Sequence, residues 1–178
     1  QVDVALFEIG KGYGRDGETT REWWRLAIAL TGAFDPPAWN RPRRAADLDD
    51  AKGLIELVCR RLGIGRPEYA PLADEPILHP GRSARVLATA GGATVVAGLV
   101  GEVHPAVAEA SELRGARVIV AEIDVIGLGG GRARDVHAHA PARHPGAERD
   151  LAIVVPEATP AAEIAAAIGA AGGPDLAS

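Results

Sequence analysis

The feature that most constrains this chain is a change of composition after Ile126. Residues 127–149 are rich in glycine, arginine, histidine and proline and show neither a helical nor a strand period. Such a stretch cannot bury an apolar face and is expected to be a connection between units. We place the linker at residues 127–142, which leaves one unit over 1–126 and another over 143–178. The second has one β-rich run, Asp150-Leu151-Ala152-Ile153-Val154-Val155, and one helical run, 161–170, with Thr159 as the expected N-cap and Pro160 entering the helix. One strand and one helix do not make a core, so this unit is expected to be truncated.

The first unit alternates strand signals with turn residues. Residues 2–9 alternate and are β-rich, followed by a loop carrying four glycines over 10–17. The run over 23–31 has no charged face and is expected to be a buried strand paired with the first. Residues 49–62 give the clearest local pattern: Leu54, Ile55, Leu57, Val58, Cys59 and Leu62 fall on one helical face, and Gly63 and Gly65 follow as a stop. Residues 67–80 are expected to be a loop. Residues 85–90 and 94–103 flank Gly91-Gly92 as a hairpin, Pro105 opens a short helix over 106–113, and 117–125 is a β-branched strand. The expectation is an α+β fold, an antiparallel sheet with flanking helices.

The chain has 178 residues, 47% of them apolar, and a net charge of −5. That charge argues against the whole surface being a non-specific nucleic-acid binder. Its distribution is uneven. Arg132, Arg134, Arg143 and Arg149 face only Asp135 and Glu148 in one stretch, a local +2 that leaves −7 elsewhere. Cys59 is the single cysteine, which excludes an internal disulfide and a thiolate cluster, and its helix position predicts a buried, inert thiol. No apolar run reaches the roughly 18 residues needed to cross a bilayer, and no secretory signal is expected. A soluble, cytoplasmic setting is expected, and the absence of methionine suggests that the sequence starts partway through a longer protein.

Several motifs suggest chemistry. Gly12-x-Gly14-x-x-Gly17 resembles a dinucleotide fingerprint, but that motif works by feeding a helix N-terminus, and no helix is predicted after it. A hairpin loop is the simpler expectation. Gly127–Arg132 resembles the glycine-rich turn and ATP-pairing arginine that close the class II aminoacyl-tRNA synthetase sheet, without the helix that would hold the arginine. His137, His139 and His144 lie in the linker, a poorly preorganised metal site. Ser83 with His79, His104 and Glu102 could suggest nucleophilic catalysis, but no nucleophile elbow frames the serine. Histidines packed at strand ends are expected instead.

Taken in order, Phe7-Glu8-Ile9-Gly10, Leu30-Thr31-Gly32, Lys52-Gly53, His79-Pro80-Gly81-Arg82-Ser83, Gly101-Glu102-Val103-His104-Pro105 and the strand carrying Glu122 resemble the catalytic-like module of the β subunit of bacterial phenylalanyl-tRNA synthetase, in its C-terminal part. His144-Pro145-Gly146, Arg149-Asp150 and the run that follows resemble the start of that subunit's ferredoxin-like anticodon-binding domain. There are departures: Asp49 stands where the family carries an aromatic residue, and only Arg149 remains of an arginine-rich step.

The resemblance implies a class II synthetase-like core without its chemistry, then the start of a ferredoxin-like α/β sandwich. It implies packing against an α subunit in an α2β2 assembly and contact with tRNA(Phe), with no membrane involvement. ATP and Mg²⁺ belong to the holoenzyme, and no catalytic residue, cofactor or metal is expected in this fragment. Arg143 and Arg149 are the expected RNA-proximal residues. Glu8, Lys52, His79, Arg82, Glu102, His104, Glu122 and Asp150 are expected to act structurally. The alternatives are a small nucleotide-binding enzyme using a Gly-rich loop, and a standalone oligomerisation module.

Overall fold

A computed structural model of the protein describes residues 3–34, 38–40, 42–90, 92–113, 115–126, 146–173 and 176. The chain divides into two compact units, Gln1–Val136 and His137–Ser178. The expected linker, 127–142, lies outside the described residues.

The first unit contains strands β1 (Val4–Asp16), β2 (Thr19–Thr31), β3 (Glu68–Pro71), β4 (Leu78–Ala90), β5 (Ala93–Val103) and β6 (Val118–Asp124), and helices α1 (Leu48–Arg61) and α2 (Pro105–Ala110). The strands form one sheet in the order β1-β2-β6-β5-β4-β3, with every neighbouring pair antiparallel. This is the α+β architecture expected from the sequence, including the pairing of the first two strands. On the core face, Leu26, Ile28 and Leu30 of β2 stand opposite Ile123, Ala121 and Ile119 of β6. Helix α1 crosses that face and buries Ala51, Ile55 and Cys59. Burial pushes the Cys59 thiol up, which fits an inert side chain.

The ends of α1 explain why its sequence signal was clear. Asp47 Oδ1 accepts the Asp49 and Asp50 amides at 3.0 and 3.1 Å, and Asp50 Oδ2 accepts the Asp47 amide at 3.0 Å, a reciprocal cap. At the far end Gly63 has φ +70°, its amide donates to Arg60 O, and the Ile64 amide donates to Cys59 O at 2.8 Å, a Schellman close. Asp47→Ala should lower stability by about 1 kcal/mol, seen as a lower urea midpoint at unchanged slope. The Arg44 guanidinium holds the Asp50 carboxyl below its ordinary range. A depressed folded value stabilises above the unfolded carboxylate pKa, so this contribution fades only as pH falls into the acid range.

The glycine-rich loop expected over 10–17 is strand. β1 runs to Asp16, and the turn is only Gly17-Glu18, with Gly17 at φ +62° as a two-residue hairpin requires. The reason is Trp23. A Cβ on Gly12 would lie 2.6 Å from Trp23 Nε1, and one on Gly14 2.5 Å from its Cη2. The indole lies where those two side chains would stand, so the glycines seat a cross-strand ring.

Four other expectations change. β3 lies where a loop was expected, a four-residue edge strand too short to show a period. α2 stops at Ala110 because Glu112 adopts φ +61° and closes the helix, with the Leu113 amide donating to Ala108 O. In the second unit the helix, α3 (Ala161–Gly172), forms as expected, but its N-cap is Pro160, not Thr159. Residues 150–155 are in no ladder, because no partner strand exists for them among the described residues. Their side chains are exposed, and α3 buries none.

Candidate functional site

Among the described residues α1 is the helix that packs on the core face of the six-stranded sheet, and none of them covers β1. Between α1 and β1 runs an open trough of about 480 Å³, floored by Phe7, Ile9, Leu26 and Ile28 and walled by Leu54, Leu57, Val58 and Leu62. All thirteen lining residues are apolar. Phe7 is 75% exposed and Ile9 57%, although both point to the core face. Adjacent large apolar side chains left in water on a flat face mark an interaction surface more than a monomer core. The trough was missed in the sequence because Phe7 and Ile9 belong to an ordinary alternating strand. The available signal was the width of the α1 stripe: Leu54, Leu57 and Val58 exceed what one sheet contact needs.

A polar cluster stands at the other end of α1. Arg82 donates to Glu102 through two nitrogens, at 2.7 and 2.9 Å, and Arg117 Nε lies 3.4 Å from the same carboxylate. Glu102 is largely buried between the two guanidiniums. His79 and His104 stack with ring centroids 6.5 Å apart. Each Nδ1 accepts a backbone amide two residues on, from Gly81 at 3.1 Å and from Ala106 at 3.2 Å. Ser83 meets the carbonyls of His79 and Leu72, not an imidazole. The structure therefore brings His79, Arg82, Glu102 and His104 together but builds no nucleophile–base pair.

The remaining residues are scattered. Glu8 is exposed on β1. Lys52 lies with its ammonium 5.2 Å from the Tyr69 ring, and the Tyr69 hydroxyl donates to Lys52 O; burial pushes that phenol up. Glu122 faces Arg25 Nε at 3.2 Å on the sheet face opposite α1, where Arg85 also pairs with Asp74. Arg149 is exposed and donates to Glu148 O at 2.8 Å, beside exposed Asp150. Arg143, Gly127–Arg132, His137, His139 and His144 lie outside the described residues. The described residues do not fit Mg²⁺–ATP: no three potential metal ligands cluster among them, and Arg25 and Arg85 are already met by carboxylates. Gly12–Gly17 is a hairpin with no helix N-terminus to receive a phosphate. No helix among the described residues is long and apolar enough to cross a membrane.

A family model described as the phenylalanyl tRNA synthetase beta chain CLM domain matches residues 1–125, the unit that carries the sheet, the trough and the Glu102 cluster. The chain belongs to that family. Several proteins similar to this β-chain family member carry the name phenylalanine–tRNA ligase beta subunit. The one from Moorella thermoacetica is 38% identical over 177 residues, 97% of this chain and 21% of that protein. The one from Symbiobacterium thermophilum is 38% identical over 173 residues, 96% and 19% respectively. The one from Geobacillus kaustophilus is 35% identical over 175 residues, 97% and 21%. The chain thus spans about a fifth of the length of these β subunits. The identities extend past residue 125, so the second unit also has its counterpart in the β-chain relatives.

Proposed function

We propose that this chain serves phenylalanyl-tRNA synthesis as a scaffolding and RNA-recognition portion of a phenylalanine–tRNA ligase β subunit, without catalysis of its own. The observation that carries this is the trough: a wholly apolar surface beside β1, the sheet edge that no described strand pairs with, in a member of a family named for one chain of a multi-chain ligase. The α subunit is the occupant that the family name suggests. On this reading the sheet is a class II synthetase-like core stripped of its chemistry, residues 127–142 are a linker, and 143–178 begin a ferredoxin-like unit that meets tRNA(Phe) through Arg143 and Arg149. ATP and Mg²⁺ act in the assembled ligase, and the setting is the cytoplasm.

The ion pairs of Arg25 and Arg85, and the backbone bonds of His79, His104 and Ser83, support the catalytic silence. The chain alone, mixed with ATP, Mg²⁺ and phenylalanine, is expected to give no phenylalanine-dependent exchange of pyrophosphate into ATP. Exchange above the level without phenylalanine would sink the non-catalytic reading. A nucleotide-binding enzyme and a standalone oligomerisation module have no specific observation in their favour.

A further inference from the structure

β2 pairs with β6 only over Arg25–Thr31, whereas its pairing with β1 continues to the rung Asp16–Thr19. The six rungs beyond Arg25 therefore leave the sheet as a two-stranded arm roughly 20 Å long, at about 3.4 Å per residue. Isolated two-stranded hairpins are marginal in water. This one is braced by Trp23 lying over Gly12 and Gly14 and by Lys11 bonded to Glu22 at 2.9 Å.

Alternation places Lys11, Tyr13 and Arg15 on the side of β1 that carries Ile9, and Trp24 on the side of β2 that carries Leu26. Ile9 and Leu26 share the trough with Leu57, Val58 and Leu62, so the last turn of α1, with Arg61, stands on that side too. Tyr13 is 62% exposed and Trp24 40%, and the Lys11 ammonium lies 5.6 Å from the Trp24 ring. Neither Arg15 nor Arg61 has a carboxylate partner among the described residues. The acids of the arm are Glu22, held by Lys11, and Asp16 and Glu18 at its turn.

Unpaired guanidiniums interleaved with exposed rings, on a chain whose net charge is −5, match the chemistry of RNA: phosphate for the cations, the face of an unpaired base for the rings. A protein partner would favour an apolar surface, which the trough supplies and this face does not. We infer that the arm's α1-facing side, with Arg61, is an RNA-contact surface of the β subunit, separate from the second unit. The inference rests on the reading that the chain works in a tRNA-charging ligase.

The test uses the assembled ligase and a tRNA(Phe) transcript, with affinity measured across a range of salt concentrations. The double variant Arg15→Glu, Arg61→Glu is expected to bind roughly tenfold more weakly, with a salt slope shallower by about one to two. Tyr13→Ala should weaken binding at unchanged slope, because stacking releases no counterion. Both variants should co-elute with the α subunit as the wild type does. Wild-type affinity and slope in the double variant would overturn the inference alone. A double variant that no longer co-elutes with α would overturn it in favour of a protein contact. A wild-type complex that ignores tRNA would overturn it together with the reading beneath it.

Discussion

Gly98→Ala should unfold the first unit, or lower its stability by about 3 kcal/mol or more, far beyond what one methyl group usually does. β5 and β6 cross so closely at this position that an added Cβ falls within the backbone, well inside contact distance of Glu122 O and 2.9 Å from Ile123 Cα. No rotamer relieves that overlap, because the obstacle is main chain. β5 can only retreat, and its retreat undoes the pairing of Gly98 with Ile123 and the burial of Ile123 and Val100. The site is already irregular: Val86 pairs with Gly98 and Leu87 with Val96, which leaves Ala97 as a bulge. Gly53→Ala is the matched control. It lies in α1 with open space around its Cβ position, and the substitution should stabilise by roughly 0.5–1 kcal/mol. Thermal unfolding separates the two, and a Gly98→Ala protein melting with the wild type would mean that β5 and β6 do not pair in this register.

The contrast between these glycines also shows what the sequence could convey. α1 was legible because its information is local: a 3.6-residue stripe, acids at the first turn and Gly63 at the close all lie within one segment. The hairpin over 85–103 was legible for the same reason. Gly10–Gly17 was not, because its strand conformation depends on Trp23 arriving from the opposite strand, and glycine alone signals a loop. β3 and the 150–155 run failed in opposite directions. A four-residue strand forms because β4 offers it an edge, while a strongly β-branched run stays out of any ladder because none of the described residues pairs with it. At the candidate sites, residue types could be picked out as motifs, but Glu102 between Arg82 and Arg117 joins residues from three strands' neighbourhoods. The trough was illegible for a different reason: exposure of Phe7 and Ile9 is a property of what does not cover them.

That exposure carries the second large effect. Phe7→Asp with Ile9→Asp should abolish association with the α subunit, weakening it about a hundredfold or more. A carboxylate buried against an apolar partner without a hydrogen bond costs several kcal/mol. The isolated chain should barely notice, since both side chains stand in water there and their backbone pairing with Ile28 and Leu26 is kept. Its melting temperature should stay within a few degrees of wild type. A similar substitution on the opposite face of the same strand, Glu8→Lys, should leave association intact.

The claim that this chain contributes a docking surface for the α subunit is tested most directly by size-exclusion chromatography of the chain with and without that subunit. The account predicts that the chain moves to a larger, shared peak when α is present, and that the Phe7→Asp, Ile9→Asp variant remains at its own position. Separate elution of the wild-type chain and α, at concentrations where each is folded, would contradict it.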